Sequence, residues 1–453
     1  MFQRKCYDRL LEWKREEKGR SALLVEGARR VGKSTLVEEF AKNEYASYLL
    51  IDFSIAQDEV KQAFRDFSND LDSLFLYLQT FYGVRLSPRK SLVIFDEVQR
   101  FPKARELVKH LVADGRYDYL ETGSLISIKK NVEDIVIPSE EDGVNLDPLD
   151  FEEFLWALGE DLLAKAIRAA FEKRQNLPSG LHERAARLWR EYLLVGGMPQ
   201  VLTAYLDGKD MERADKEKRR ILRLYRDDIE KFAEGESGRV SAIFDELPGQ
   251  LSKHEKKFTL AAIDQHARNR DYVGAFFWLG DARISNNCFN CTDPTVGLAL
   301  NQESSSLKCY MADTGLLVSH TFADRRTTPN QMYKDTLFGK LEINEGMLVE
   351  NAVAQQLHAS GHRLFFFSRE GESAQDRMEI DFLIAGEYEN AAMRLRVCPI
   401  EVKSSKGRYA TASLDKFKAK YGKRAGTQYI LHRKTLSVDG DRILLPLYMA
   451  HCL

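Results

Sequence analysis

The sequence predicts a multidomain α/β protein, and three observations carry that reading. A glycine-rich stretch, GARRVGKST at 27–35, lies between an apolar run, Ala22 to Val25, and a helix-forming segment, Ser34 to Ala41. Apolar strand-like runs alternate with helical patterns over residues 20 to 130, the order that gives a parallel sheet with helices on both faces. Farther along, a helical segment at 345–360 precedes three strand-like runs at 365–368, 378–384 and 397–403.

Taken in order, the first twenty residues are charged throughout and lack the apolar segment of a signal peptide, so a cytoplasmic location is expected. No run approaches the ~18 apolar residues of a membrane helix, and no membrane association is expected. At 453 residues, 44% hydrophobic and 30% charged, the chain has material for about three soluble domains. Six cysteines make no disulfide framework in so long a chain and are expected as reduced thiols. Cys288 and Cys291 form one C-x-x-C without a second pair, short of the four ligands that zinc needs.

The glycine stretch fits G-x-x-x-x-G-K-[ST], with Gly27, Gly32, Lys33 and Ser34 in the required places. A strand, a glycine turn and a helix N-terminus together aim several backbone N–H groups at one phosphate chain. Gly27, Ala28, Arg29, Arg30, Val31, Gly32, Lys33, Ser34 and Thr35 are therefore expected to cradle ATP. Lys33 would set a charge beside the β- and γ-phosphates, and the Ser34 hydroxyl would bind Mg²⁺. The runs Leu49 to Phe53 and Ser91 to Glu97 read as further strands with acids near their ends. In the second, Asp96 would hold Mg²⁺ through water and Glu97 would polarise the attacking water, the Walker B arrangement. Tyr117 to Leu120 leads into Glu121-Thr122-Gly123-Ser124, where Thr122 or Ser124 would sense the γ-phosphate or orient that water.

Residues 151–235 are helical by pattern, and Gly196-Gly197-Met198-Pro199 reads as a hinge. From Val240 to Leu317 the order helix, helix, helix, strand pair fits a winged helix-turn-helix. Its third helix, Asp271 to Asp281, has no lysine or arginine, so it is expected to pack rather than to read DNA. Lys253, Lys256 and Lys257 ahead of it could touch a phosphate backbone.

A helix followed by three strands, with Asp381 and then Glu401-Val402-Lys403, is the pattern of the PD-(D/E)XK nuclease fold. Strand alternation puts Glu401 and Lys403 on one face, with Asp381 on a neighbouring strand. Two close carboxylates repel unless a divalent cation neutralises them, so Asp381 and Glu401 are expected metal ligands. Lys403 would orient the attacking water, and Glu350 would complete the site. In the alternative reading these acids form structural ion pairs with lysines. From Glu401 to Lys434, ten basic residues outweigh two acids, and the helix at 414–424 would suit a DNA backbone.

The ordered segments GARRVGKST, FDEVQRFP, ETGSLIS, PLDFEEFL, VGGMPQ, YRDDI, YMADTGLL, EIDFLI and PIEVKSS resemble bacterial and archaeal AAA-type ATPases with a DUF4143 C-terminal part. The resemblance spans nearly the whole chain. It implies a P-loop AAA-type ATPase core at 1–150, a helical lid at 151–238, a winged-helix-like domain at 239–335 and a restriction-endonuclease-like α/β domain at 336–453. Such proteins usually carry an arginine between the ETGS and PL-x-F segments, but Lys130 to Asp147 contains none. The transition-state arginine is then one of Arg219, Arg220, Arg223 and Arg226, or comes from a neighbouring subunit of a homo-oligomer. Two functions follow as expectations. One is an ATP-hydrolysing enzyme coupled to DNA binding or to Mg²⁺-dependent cleavage by Glu350, Asp381, Glu401 and Lys403. The other is a nucleotide switch that grips nucleic acid or a protein partner without cutting it.

Overall fold

A computed structural model describes residues 1–123, 141–233, 235–253, 257–263, 265, 267–323, 329–337, 345–369, 377–386, 396–404 and 411–453, with the side chains of 334–337 outside that description. Ser124, Lys256 and residues 130–140 of the arginine-free stretch lie outside the described residues. The chain divides into two compact units, Met1–Asp147 and Pro148–Leu453.

In the first unit, helix α1 (Cys6–Glu17) precedes strand β1 (Ala22–Glu26), and the glycine loop leads into α2 (Lys33–Glu44). Then come β2 (Ser47–Asp52), α3 (Asp58–Asp66), α4 (Leu71–Tyr82), β3 (Ser91–Asp96), α5 (Pro102–Asp114), β4 (Asp118–Gly123) and β5 (Glu141–Asn145). The sheet order is β2-β3-β4-β1-β5, and every pairing is parallel. β3 and β4 are buried along their whole length, which is why they read as continuous apolar runs. Phe53, Phe64, Phe95 and Phe101 interlock on one face of the sheet. β4 extends through Thr122 and Gly123, where the sequence suggested a polar tip. β5 has no counterpart in the sequence reading, because its residues, EDGVN, are too polar and too exposed to give a strand signal.

One buried charge cluster lies inside this unit. Arg105 of α5 pairs with Glu141 of the edge strand at 2.7 Å and stands 4.0 Å from Glu121 of β4. Neither Glu121 oxygen has a hydrogen-bond partner among the described residues. Burial, with Glu141 adding to it, raises the Glu121 carboxyl above its ordinary range against the pull of Arg105. A carboxyl whose folded-state pKa is raised binds its proton more tightly when folded. Its contribution to stability is full below the unfolded value of about 4.3 and is lost as pH rises through the raised one. Glu121→Gln should therefore flatten the fall in thermal stability with rising pH by up to about 1.4 kcal/mol per pH unit. Melting curves at successive pH values above 4 check this, and an unchanged slope would refute it.

The second unit opens with six helices, from Phe151–Ala157 to Ser237–Leu251, and continues with the helix Asn269–Asp281. Strands β6 (Ser285–Cys291) and β7 (Gln302–Met311) follow, then the helices Thr314–Thr321, Asn330–Leu337 and Glu345–Ala359. The strands β8 (Phe365–Arg369), β9 (Met378–Ala385) and β10 (Val397–Val402) precede the helix Ala412–Tyr421, and β11 (Gln428–His432), β12 (Ser437–Asp439) and β13 (Arg442–Pro446) complete the set. The eight strands of this unit among the described residues share one sheet, ordered β12-β13-β11-β10-β9-β8-β6-β7. The three strands expected near Asp381 and Glu401 are present within a residue or two.

One pairing in this sheet joins two of the segments expected as separate modules. The β6–β7 hairpin, read as the wing of a separate module, runs antiparallel within itself, and β6 pairs parallel with β8. Backbone pairing thus crosses the expected boundary at 335/336. The helix Asn269–Asp281 buries Tyr272, Ala275, Phe276 and Leu279, in keeping with a packing role.

The helix Glu345–Ala359 is buried from Met347 to Leu357, so it is a central helix covered on all sides. Its amide side chains satisfy backbone groups of distant segments. Asn351 accepts from the Met311 N–H at 2.8 Å, Gln355 from the Thr314 N–H at 2.9 Å, and Gln356 from the Phe151 N–H at 2.7 Å. Gly197 donates its N–H to Asp313, whose other oxygen caps the helix Thr314–Thr321. A Cβ at Gly196, where φ is +82°, would collide with Asp313, and one at Gly197 with the Leu149 carbonyl. The expected hinge at 196–199 is therefore a close backbone crossing held by hydrogen bonds.

Candidate nucleotide and carboxylate sites

In the first unit, the parallel strands deliver the loop after β1 and the residues after β3 to the same end of the sheet, where ligands of such sheets bind. A Cβ at Gly27 would strike the Leu146 carbonyl, and Gly32, the residue capping α2, has φ +99°. Both positions demand glycine, and the turn leaves the first amides of α2 with no acidic side chain in the opening turn. Val31 and Ala28 are buried and anchor the loop, whereas Arg30, Ser34 and Thr35 are exposed and Arg29 is half-buried. The Lys33 ammonium donates to the Gly27 and Ala28 carbonyls at 2.9 and 3.0 Å, so its charge already sits inside the loop.

Ser34 and Asp96, the two expected Mg²⁺ ligands, meet: the Ser34 hydroxyl donates to Asp96 Oδ1 at 2.9 Å. Thr122 donates to the same oxygen, and its own oxygen accepts from the Glu97 N–H at 3.2 Å. Glu97 adopts a left-handed conformation, φ +53°, and its carboxylate accepts from Gln99 at 2.6 Å. Backbone strain of this kind in a non-glycine residue marks a position fixed by its surroundings. These residues fit a Mg²⁺-nucleotide: a loop with two positions that require glycine, an ammonium inside it, and a hydroxyl in contact with a carboxylate. Arg4 was not anticipated. It is buried and donates to the carbonyls of Val31 and Asp147, bracing the glycine loop from behind. Nothing in a charged N-terminal segment distinguishes it from a surface residue.

The second unit brings the C-terminal carboxylates together around a residue the sequence did not single out. Lys308, on β7, is 2% exposed, and its ammonium lies 3.0 Å from Glu379, 3.6 Å from Glu350 and 3.8 Å from Asp381. Tyr310, two residues on and so on the same strand face, donates its hydroxyl to Glu350. Asp381 accepts from the Val402 N–H at 2.8 Å, and Lys403 pairs with Glu401 as alternation requires. Burial, reinforced by Glu350, pushes the Asp381 carboxyl up, with Lys308 pulling against it. Burial likewise raises Glu401, partly offset by Lys403. Burial alone would lower Lys308, but Glu350, Asp381 and Glu379 outweigh it and hold the ammonium charged. Among the described residues no group of three or more His, Cys, Asp or Glu side chains converges as a metal site. Of the four expected residues, Glu350 and Asp381 thus meet at an internal ammonium while Glu401 pairs with Lys403, and carboxylates already engaged by lysines in this way do not fit a divalent cation.

Three of the four arginines considered for the transition state are engaged within the second unit. Arg219 pairs with Asp215, Arg220 with Glu217 and Arg226 with Asp245, at 2.6 to 2.9 Å.

Comparison with known families agrees with the glycine loop. Residues 19–155 match the model of an AAA domain. The chain is accordingly a nucleotide-binding ATPase with an AAA-type domain on a parallel sheet. Residues 345–449 match DUF4143, and residues 186–327 match another domain of unknown function, DUF8612, which spans the expected boundary at 238/239. Comparison with curated proteins found no match. Among solved structures, a Walker-type ATPase of Pyrococcus abyssi aligns at 17% identity and TM-score 0.42, over 71% of this chain and 96% of that one. A signal-transduction ATPase with a tetratricopeptide repeat sensor from Pyrococcus horikoshii aligns at 13% and 0.26, over 77% and 47%. A chain of the Drosophila ORC bound to DNA aligns at 14% and 0.26, over 71% and 95%. No described helix is long and apolar enough to cross a membrane.

Proposed function

We propose that the chain is a nucleotide-dependent switch. ATP is bound by the 27–35 loop and hydrolysed with Glu97 as the water-polarising base, and the second unit engages a nucleic acid without cleaving it. Ser34 and Asp96 would hold Mg²⁺, which when bound supplies charge neutralisation at the phosphates. The observation that carries the non-cleaving reading is Lys308. An ammonium within 4 Å of Glu350, Glu379 and Asp381 already takes the place among these carboxylates that a nuclease would leave for metal, and offsets part of their charge. The nucleic-acid reading is supported by the exposed Lys418 and Lys420 of the helix Ala412–Tyr421 and by the exposed Lys423 and Arg424 just after it. Lys418 and Arg424 pair with Asp441 and Asp293 on the surface, contacts weak enough for a phosphate to replace.

The test uses the full chain with labelled single- and double-stranded DNA, under ATP or ADP, with Mg²⁺ or Mn²⁺. Intact DNA throughout, with an affinity that differs between nucleotides and falls steeply with salt, is the expected result. Metal-dependent cutting that Asp381→Ala abolishes would overturn the non-cleaving reading. Absence of binding at low salt would shift the partner from nucleic acid to protein.

A further inference from the structure

A cavity of ≈ 340 Å³ lies within the second unit, lined by none of the side chains of the Lys308 cluster. Three stretches of chain build it: the helix Ser179–Val195, the start of the helix Glu345–Ala359, and the residues at the ends of β11 and β13. Trp189, Leu193, Val349 and Leu447 give it an apolar floor, and all four are buried. Its rim differs in character. Arg190, Arg433 and Lys434 line it against a single acid, Glu345, which pairs with Arg433. Arg190 is exposed and has no ionic or hydrogen-bonding partner among the described residues.

We infer that this cavity is a binding site for a small organic anion with an apolar body, of the aryl-sulfonate or medium-chain carboxylate class. The volume falls in the range of ligand pockets, roughly 300–1,000 Å³. Water gains little from an apolar floor, because it needs two to four polar partners to be held well. An apolar body recovers the contacts the floor offers. The rim then decides the head group. With Glu345 engaged by Arg433, the unpaired guanidinium of Arg190 and the Lys434 ammonium face the mouth, and an anion is the group they stabilise. A cationic ligand would meet like charges, and a neutral one would gain nothing from Arg190. Val349 adjoins Glu350, so the ligand would rest on the helix that contributes Glu350 to the Lys308 cluster.

The test is a fluorescence titration of the full chain with 8-anilinonaphthalene-1-sulfonate, an apolar-bodied anion, in saturating ADP to occupy the nucleotide loop. Saturable enhancement that decanoate displaces is expected. Arg190→Glu, an exposed position outside the ATPase residues, should weaken the sulfonate at least about five-fold while leaving ATP hydrolysis and binding of uncharged N-phenyl-1-naphthylamine unchanged. Val349→Trp, which fills the floor, should weaken both probes about ten-fold or more. Absence of saturable binding, or sulfonate affinity unchanged in Arg190→Glu, overturns the inference. Sensitivity to Val349→Trp alone means an apolar cavity without anion selectivity and overturns it too. If Val349→Trp does not fold, the Arg190→Glu comparison of the two probes decides.

Discussion

Lys308→Met is expected to destabilise the second unit by about 3–5 kcal/mol, the usual cost of removing one partner from a buried ionic cluster. The methionine fills a similar volume, so the effect isolates charge from packing. Three carboxylates, two of them largely buried, lose the ammonium that holds them together. Denaturant unfolding of the full chain would show the shift, and millimolar Mn²⁺ should recover part of it in the variant but not in the wild type. A variant as stable as the wild type would show that the carboxylates do not depend on Lys308, and the non-cleaving reading would lose its support.

The second large effect concerns the ATPase. Glu97→Gln should leave nucleotide affinity within about two-fold of wild type while lowering the hydrolysis rate about 10²–10³-fold, the range for losing one positioned catalytic group. Lys33→Ala should instead weaken binding and hydrolysis together, because its ammonium sits within the loop that would cradle the phosphates. Nucleotide binding by calorimetry and phosphate release measured side by side separate the two. Hydrolysis that survives Glu97→Gln would place the base elsewhere, with Gln99 the neighbouring side chain to examine next.

The two sites were legible to different degrees, for a physical reason. The nucleotide loop is encoded by contiguous residues whose roles are largely backbone roles, so Gly27, Gly32, Lys33 and Ser34 could be read directly. Asp96 and Glu97 follow from a fully buried strand ending in acids. The carboxylates of the second unit were found because a period of two fixes Glu401 and Lys403, and because β9 and β10 are neighbours. Lys308 escapes a sequence reading because three helices separate its strand from β8 and the hairpin that holds it reads as part of another module. A signal did exist: in LKCYM a single lysine interrupts an otherwise apolar strand, which a buried partner explains better than a solvent-facing position. The amides Asn351, Gln355 and Gln356 were missed for a related reason. Their partners are backbone groups, which leave no mark in sequence.

The central helix Glu345–Ala359 carries a consequence for how the chain is made. Its amides close backbone groups at Phe151, Met311 and Thr314, so residues synthesised long before it cannot settle until it arrives. The first unit, complete by Asp147, is free to fold as it leaves the ribosome. The second must wait, with the β6–β7 hairpin exposing an unpaired edge until β8 joins it. Its assembly depends on long-range pairing and is slow for that reason. The nucleotide unit therefore exists first, and the newborn protein passes through an interval in which the ATPase is folded while its companion is still a sticky, half-made sheet.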